Sequence, residues 1–228
     1  MAYGISADGF QISHLRQAVP LVAIYGYTSK MENIYKIIDS YPDEYLAIKK
    51  QAKKYILNDS VIDNNERVNI LHRPWVARLN WGLMLYKGAD VGWINQTETL
   101  IKKPMPAFYK SFLTKINGCF LYDISMFGLI HSLTRTFLQC HDLTTANVEW
   151  IKEFDVDQSF FYFGYGHYSY EENTGYFYRQ NKIISARKNG IFVNEWNNFS
   201  DFLNDELIRA ENKMLKDIPK KTVLKVSE

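Results

Sequence analysis

Apolar residues recur at helical spacing through much of the first half of the chain. The segment from residue 40, SYPDEYLAIKKQAKKYIL, predicts an amphipathic helix with Ser40 as its cap. Its apolar stripe is formed by Tyr45, Ile48, Ala52, Tyr55 and Ile56. We predict a second short helix between Asp63 and Pro74, because the residue before a proline is pushed out of the helical region. A third helix is predicted from Trp75 to a stop at Gly88.

The clearest helical pattern begins at Pro106, in the segment PAFYKSFLTKING. Proline suits the first turn of a helix, and Gly118 can adopt the left-handed conformation that ends one. The apolar segment CFLYDISMFGL then predicts a strand that is covered on both sides. A short helix over TTANVEWIKEF is predicted to start at Thr144 or Thr145. The last helix starts near Asn198 and turns four apolar residues inward: Phe199, Phe202, Leu203 and Leu207.

The pattern changes to strand alternation in FFYFGYGHYSYEENTGYFYR, residues 160–179. Alternation predicts that one face of the first strand carries three rings: Phe161, Phe163 and Tyr165. Asn173 and Gly175 tolerate positive φ, so we predict a turn there that pairs residues 168–170 with residues 176–178. One face of such a hairpin must be core. The rings of the other face either dock a partner, which we favour, or pack under the N-terminal extension.

Two further strands, KIISARK and IFVNEW, are joined through Asn189 and Gly190. Together these elements predict an α+β fold, with an antiparallel β-meander sheet flanked by helices. We divide the chain into a helical N-terminal extension (1–89), an α+β domain (90–215) and a basic C-terminal tail (216–228).

Charge narrows the range of partners. The chain has 228 residues and a net charge of only +2, whereas proteins that hold nucleic acid usually carry a clear basic excess. Between Glu149 and Glu172 the only Lys or Arg is Lys152. We therefore expect no nucleic-acid partner. Tyrosines beside carboxylates favour a protein partner of basic character instead.

Cysteine usage and hydropathy indicate where in the cell the protein is located. Cys119 and Cys140 form no CxxC pair and indicate reduced intracellular thiols. No apolar run approaches the roughly 20 residues that cross a membrane. We expect a cytoplasmic protein with no membrane partner, and the sequence indicates no particular oligomeric state.

Motifs that would indicate an enzyme are weak. Cys140, His141 and Asp142 are consecutive, but adjacent side chains diverge and seldom converge on one reacting atom. HExxH and a Walker-type loop are absent, and the GYG of the aromatic segment lacks the third glycine of a dinucleotide fingerprint. Its glycines would instead let the strands bend or let a neighbouring ring lie over bare backbone. We expect no catalytic set, no metal site and no cofactor, with a small hydrolase that uses His131 or His141 as the less favoured alternative.

Four segments, in this order, resemble the SUKH superfamily, which includes yeast cell-wall assembly regulators and many bacterial immunity proteins. They are the Pro106 helix with its following strand, LTTANVEWIKEF, the aromatic hairpin and WNNFSDFLNDEL. The positions that carry the resemblance are Pro106, Asn117, Gly118, Asn147, Trp150, Gly164, Gly166, Phe199, Phe202 and Leu203. The resemblance covers roughly residues 90–215 and has no counterpart in residues 1–89.

The resemblance implies a binding fold without a shared catalytic set, used in bacteria mainly to occupy and neutralise a toxin. We therefore expect a non-enzymatic protein-binding module, in the first place an immunity protein against a toxin such as a nuclease. A regulatory scaffold of the cell-wall-regulator type is the alternative. The residues expected to contact the partner are Trp150, Glu153, Asp155, Asp157, Tyr165, Tyr168, Tyr170, Glu171 and Glu172.

Overall fold

The structure is a computed structural model that describes residues 31–130, 139–168 and 172–227. These residues form six α-helices and one sheet of nine antiparallel strands. Each strand pairs with the next strand along the chain, so the sheet is a meander. The α+β class and the antiparallel meander predicted from the sequence are confirmed.

The elements follow one another without long connections in the described ranges. The helices are α1 (31–39), α2 (Leu46–Tyr55), α3 (Val91–Ile101), α4 (Ala107–Lys115), α5 (Leu143–Val148) and α6 (Phe199–Lys216). The strands are β1 (Val61–Ile62), β2 (Val68–His72), β3 (Trp81–Lys87), β4 (Ile116–Leu121), β5 (Ile124–Met126), β6 (Phe161–His167), β7 (Asn173–Arg179), β8 (Lys182–Arg187) and β9 (Phe192–Trp196). Short 3₁₀ helices, Asp43–Tyr45 and Trp150–Glu153, precede α2 and follow α5.

Helices with a long apolar stripe agree with the prediction. Every residue of the stripe predicted for α2 is buried, as are the four inward residues predicted for α6. Asn198 caps α6 by accepting a hydrogen bond from the backbone N–H of Asp201 at 2.9 Å. Ser40 does not cap α2: its hydroxyl donates to the carbonyl of Ile37 at 2.7 Å, at the end of α1.

The two helices predicted between Asp63 and Gly88 are wrong, because this segment contains the hairpin of β2 and β3. The apolar residues at helical spacing do not share one buried face: Leu79 is 57% exposed, whereas Leu83 is fully buried. Leu83 pairs instead with Ile70 across the hairpin. A short apolar run fits a helix or a buried strand, and here the neighbouring strands decide between them.

The sheet continues across the predicted domain boundary at residue 89, since β3 also pairs with β4. Leu83 lies opposite Leu121, and Leu85 lies opposite Cys119. All four side chains belong to the same hydrophobic cluster. The described part of the predicted helical extension therefore begins with helices, but its second half supplies three strands of the central sheet.

Gly118 belongs to β4 and not to a helix cap. α4 ends at Lys115, and β4 starts at the next residue. The φ of Gly118 is +77°, and a Cβ there would lie 2.8 Å from the backbone nitrogen of Gly128. Glycine is required because it tolerates both this dihedral angle and this close approach. The single strand predicted after it is two strands, β4 and β5, joined by a turn at Asp123.

Aromatic rings pack on both faces of the sheet. On one face, Tyr109 of α4 and Phe202 of α6 contact Phe163 of β6, with ring centroids 5.3 and 5.5 Å apart. On the other face, Tyr162 of β6 contacts Phe127 at 4.9 Å. All five residues are at most 3% exposed. Both faces thus contribute to the core, and five of the nine described Phe and Tyr rings of residues 160–179 are buried, close to the half expected if one face is core.

Strand β6 contains one extra residue. Its pairing with β7 shifts by one between Tyr162 and Gly164, which makes Phe163 the extra residue of a β-bulge. The predicted common face for Phe163 and Tyr165 is therefore wrong. Tyr165 lies on the face of Tyr162, and both tyrosine rings contact Phe127.

The hairpin between β6 and β7 turns earlier than predicted. Asn173 and Gly175 are paired residues of β7 and not turn residues. Tyr178 lies opposite Phe161, so the predicted pairing of residues 168–170 with the end of β7 is wrong. The bulge and the early turn together explain this error, because each shifts the register from what alternation alone predicts.

One glycine of the GYG segment lets a ring lie over bare backbone, as predicted. A Cβ at Gly166 would lie 2.2 Å from the hydroxyl of Tyr176. That hydroxyl donates a short hydrogen bond to the carboxylate of Glu206 in α6. Gly166 therefore leaves room for a bond between the sheet and the helix.

A buried carboxylate joins α6 to the sheet. Glu206 is 2% exposed and accepts hydrogen bonds from the hydroxyls of Tyr168 and Tyr176. Arg209, one helical turn later, donates to Glu206 at 2.9 Å and to the carboxylate of Asp123 at 3.0 and 3.1 Å. Because Asp123 lies in the β4–β5 turn, this group fixes α6 to that turn and to the end of β6.

Arg209→Met should lower the free energy of unfolding by about 2 kcal/mol, because it leaves the buried Glu206 carboxylate without its cation. Lys182→Met is the matched control: Lys182 pairs with Glu195 where both side chains are exposed, and its loss should cost at most about 0.5 kcal/mol. Urea denaturation measures both changes. Equal destabilisation by the two substitutions would contradict the role given to Arg209.

Candidate partner-docking site

A surface cavity of about 300 Å³ opens on the face of the sheet that lies opposite α6. It is lined by His141, Trp150, Glu153, Phe154, Tyr162, Tyr165, Asn173 and Lys188. These residues come from the α5 region, from β6, from the start of β7 and from the turn after β8. Aromatic walls with a few polar groups are typical of a binding site.

Two polar side chains position α5 beside this cavity. Asp142 caps the helix by accepting hydrogen bonds from the backbone N–H groups of Thr144 and Thr145, so neither threonine is the cap. Asn147 donates to the carbonyl of Tyr162 at 2.8 Å and accepts from its N–H at 3.0 Å. Asn147 is 3% exposed. This buried pair of hydrogen bonds fastens α5 to β6 and thereby sets the position of the 3₁₀ helix that comes after α5.

The 3₁₀ helix after α5 brings two predicted partner-binding residues together. A 3₁₀ helix has three residues per turn, so side chains three apart lie one above the other. Trp150 and Glu153 have this spacing, and both line the cavity. Phe154 ends the helix and packs against Tyr162 with ring centroids 5.3 Å apart. One short segment therefore supplies a ring, a carboxylate and part of the floor.

His141 lies between the rings of the cavity. Its ring stacks on Tyr165 at 5.5 Å and meets Trp150 edge-on at 5.8 Å. Its Nδ1 lies 2.8 Å from the hydroxyl oxygen of Ser125. Burial, and secondarily the nearby His167, lower the pKa of His141 below its ordinary value. The ring is therefore neutral at pH 7, and the cavity carries no positive charge from it.

Three of the nine residues predicted to contact a partner meet at this cavity: Trp150, Glu153 and Tyr165. Asp155 and Asp157 are exposed but lie outside its lining. Glu172 forms an ion pair with Arg187 beside the cavity. Tyr170 and Glu171 lie outside the described residues.

Tyr168 lies on the other side of the sheet. Its hydroxyl donates to Glu206 at 2.5 Å, and the guanidinium of Arg209 lies 4.3 Å from its ring centroid. Tyr168 is thus a structural contact of α6. The sequence analysis grouped it with Trp150 and Tyr165, but it does not lie beside them in the structure. The cause is the buried carboxylate of Glu206, which needs donors from the sheet.

The acidic residues that the sequence places around the aromatic strand are partly neutralised by distant basic residues. Lys188 lies 2.7 Å from the carboxylate of Glu153, and Arg187 pairs with Glu172. Both cations come from the end of β8, which is remote in sequence from the acidic segment. The negative field is therefore weaker and more local than the sequence indicated.

The predicted partner-binding set lacks five residues of the cavity: His141, Phe154, Tyr162, Asn173 and Lys188. Of these, His141 was predicted only for the alternative hydrolase. Phe154 had a local signal, since it directly follows the Trp150–Glu153 pair in the segment WIKEF. Tyr162 was assigned to the strand, but its position on the cavity face beside Tyr165 depends on the bulge. Lys188 had no local signal, because pairing of β7 with β8 brings it to the site.

Other candidate chemistry is sparse in the part of the chain that the structure describes. Cys119 and Cys140 are both buried free thiols, and burial raises the pKa of Cys140 to about 12. No group of three or more metal-ligating side chains occurs within residues 31–130, 139–168 and 172–227. His131 lies outside those ranges. Among the helices in the same ranges, none is both long enough and apolar enough to cross a membrane.

No family model, curated protein or solved structure matches this chain. The structure itself defines the class of protein: an antiparallel α+β fold with an aromatic cavity on one face of its sheet. The resemblance to the SUKH superfamily stays a prediction.

Asn147→Ala should lower the free energy of unfolding by about 2 kcal/mol, because it leaves the buried N–H and carbonyl of Tyr162 unpaired. It should also shift the tryptophan emission of the folded protein, since α5 holds Trp150 in place. Asn95→Ala, at an exposed position of α3, is the control and should change stability by at most about 0.5 kcal/mol. Urea denaturation followed by fluorescence tests both. An unchanged midpoint for Asn147→Ala would refute the anchoring role.

Proposed function

We propose that this chain is a non-enzymatic protein-binding module and that the cavity around Trp150 is its docking site. The observation that carries the proposal is a set of half-exposed rings held rigidly by buried contacts. Trp150 and Tyr165 are partly buried, while Phe127, on which both pack at 5.7 and 5.9 Å, is fully buried. Rigid aromatic side chains dominate binding energy because little conformational freedom is lost when they are covered.

Within this class, we propose an immunity protein that occupies and neutralises a toxin. The support is the resemblance to the SUKH superfamily, together with a cavity suited to anchoring part of another protein. Buried aromatic contacts would hold the partner, and carboxylates such as Glu153 and Asp155 would speed its approach if it is basic. A regulatory scaffold is the alternative role of the same surface.

Trp150→Ala should lower recovery of the bound partner by at least about tenfold, because a central aromatic anchor contributes about 2 kcal/mol or more to binding. The measurement is affinity purification of the tagged chain from cells that produce it, with quantitative mass spectrometry. Ile208→Ala is the control, because Ile208 is an exposed apolar side chain of α6, which lies on the other face of the sheet from the cavity. Equal recovery with both variants, or no partner with the wild type, would refute docking at this cavity.

The number of partners recovered in this experiment, and their toxicity, distinguish an immunity protein from a regulatory scaffold. An immunity protein should yield one stoichiometric partner that is toxic when produced alone and harmless when produced with this chain. A regulatory scaffold should yield several partners, none of them toxic. Either outcome keeps the cavity as the docking site if Trp150→Ala reduces recovery.

A small hydrolase is the second candidate, because Ser125 and His141 lie 2.8 Å apart and the imidazole is neutral. Two features disfavour it. Ser125 is 2% exposed, which closes its hydroxyl to a substrate. The carboxylate of Asp142 caps α5 and is therefore not the group that orients His141.

Hydrolysis of activated p-nitrophenyl esters distinguishes this candidate from a binding module. A catalytic pair should give turnover that both Ser125→Ala and His141→Ala abolish. The binding proposal expects the wild type to show no turnover above that of the double variant. Turnover lost in both single variants would overturn the assignment as a non-enzyme.

A further inference from the structure

The cavity combines ring faces with the carboxylate of Glu153 at its mouth, and this combination identifies what it can hold. We propose that it receives a single arginine side chain of a protein partner. The proposal rests on the docking function given above and names the chemistry of the anchor. It is carried by the arrangement of Trp150, Tyr162, Tyr165 and Glu153 around one opening.

Aromatic rings form the walls and the floor. Trp150 and Tyr165 are partly buried, whereas Tyr162 and Phe154 beneath them are only 3% and 5% exposed. The face of an aromatic ring carries partial negative charge and attracts a cation within about 6 Å of its centroid. The cavity volume of about 300 Å³ leaves space for one side chain. A cation placed there would contact more than one ring at once.

The carboxylate of Glu153 faces the same space. Trp150 and Glu153 lie one above the other in the 3₁₀ helix, so the carboxylate stands beside the indole. Burial, then the neighbouring Tyr165 and the charge of Glu153, raise the pKa of Tyr162. Glu153 therefore acts on the floor of the cavity as well as on its rim.

Lys188 shows that the mouth already accepts a cation. Its ammonium lies 2.7 Å from Glu153, and the two side chains are 56% and 54% exposed. Exposed ion pairs of this kind contribute little to stability, so the exchange of Lys188 for another cation costs little. A guanidinium would form two parallel bonds to the carboxylate and lie flat on a ring, which an ammonium cannot do.

An anionic ligand fits this site poorly. His141 is neutral at pH 7, which leaves Lys188 as the positive charge among the described residues that line the cavity. An anion would meet the carboxylate of Glu153 and the negative faces of several rings. The side-chain amide of Asn173, which also lines the cavity, offers a carbonyl oxygen to a guanidinium donor.

The test uses N-acetyl-arginine-N-methylamide as probe and the corresponding citrulline derivative as its neutral match in shape. NMR titration of the full chain follows the indole N–H of Trp150, assigned from the spectrum of Trp150→Phe. We expect a weak dissociation constant of about 1–10 mM for the arginine probe and binding at least about fivefold weaker for citrulline.

Substitutions at two charged residues that line the cavity test the role of charge in binding the arginine probe. Glu153→Gln should weaken binding of the arginine probe by about fivefold, since it removes the carboxylate that the guanidinium contacts. Lys188→Met should tighten binding by about threefold, because it removes the resident competitor for Glu153. A gain of affinity in Lys188→Met cannot arise from misfolding, so this variant keeps the test decisive.

Equal binding of citrulline and arginine would overturn the proposal and indicate an uncharged anchor. So would the absence of any shift at about 50 mM probe, or an arginine affinity that Glu153→Gln leaves unchanged. The docking function is judged separately by recovery of the partner with Trp150→Ala. If Trp150→Ala lowers that recovery and Glu153→Gln does not, the docking function stands and the arginine anchor fails.

Discussion

The extra residue at Phe163 decides where the side chains of β6 point. Before the bulge, Phe161 faces α4, and Phe163 fills the space between α4 and α6. After it, Tyr165 lies on the opposite face, where it joins Tyr162 and stacks on His141. A strand without the bulge would place Tyr165 among the helices, because side chains alternate strictly in a regular strand. The cavity around Trp150 exists because one strand changes its register at this point.

Two buried polar groups hold the two faces of β6 in place. On the cavity face, Asn147 bonds to both backbone groups of Tyr162 and thereby fixes α5. On the helix face, Glu206 accepts hydrogen bonds from the hydroxyl of Tyr168 and from the guanidinium of Arg209. A buried polar group that loses its partner is costly, so each of these contacts favours one arrangement over its alternatives. The rings can therefore stay half-exposed at the cavity without collapsing into the core.

The distribution of charge makes the proposed docking site local. In sequence, the acidic residues around the aromatic strand form a belt, but ion pairs from the end of β8 neutralise Glu153 and Glu172. A broad negative surface would mainly speed association with any basic protein. A carboxylate beside stacked rings can instead recognise one cationic side chain. Specificity would then depend on a single pocket and on the competition between Lys188 and the partner for Glu153.

Elements whose residue pattern is local could be predicted from the amino-acid sequence. The stripes of α2 and α6, the strands β8 and β9, and the α+β class follow from spacings of 3.6 or two residues. The segment WIKEF also placed Trp150 and Glu153 in one short stretch. Four features depend on contacts between distant segments: the strands β2 and β3, the face of Tyr165, the position of Tyr168 and the presence of Lys188 at the cavity. In each of these cases the residue's environment is set by a neighbouring strand or helix that is distant in sequence, and no local period contains that information.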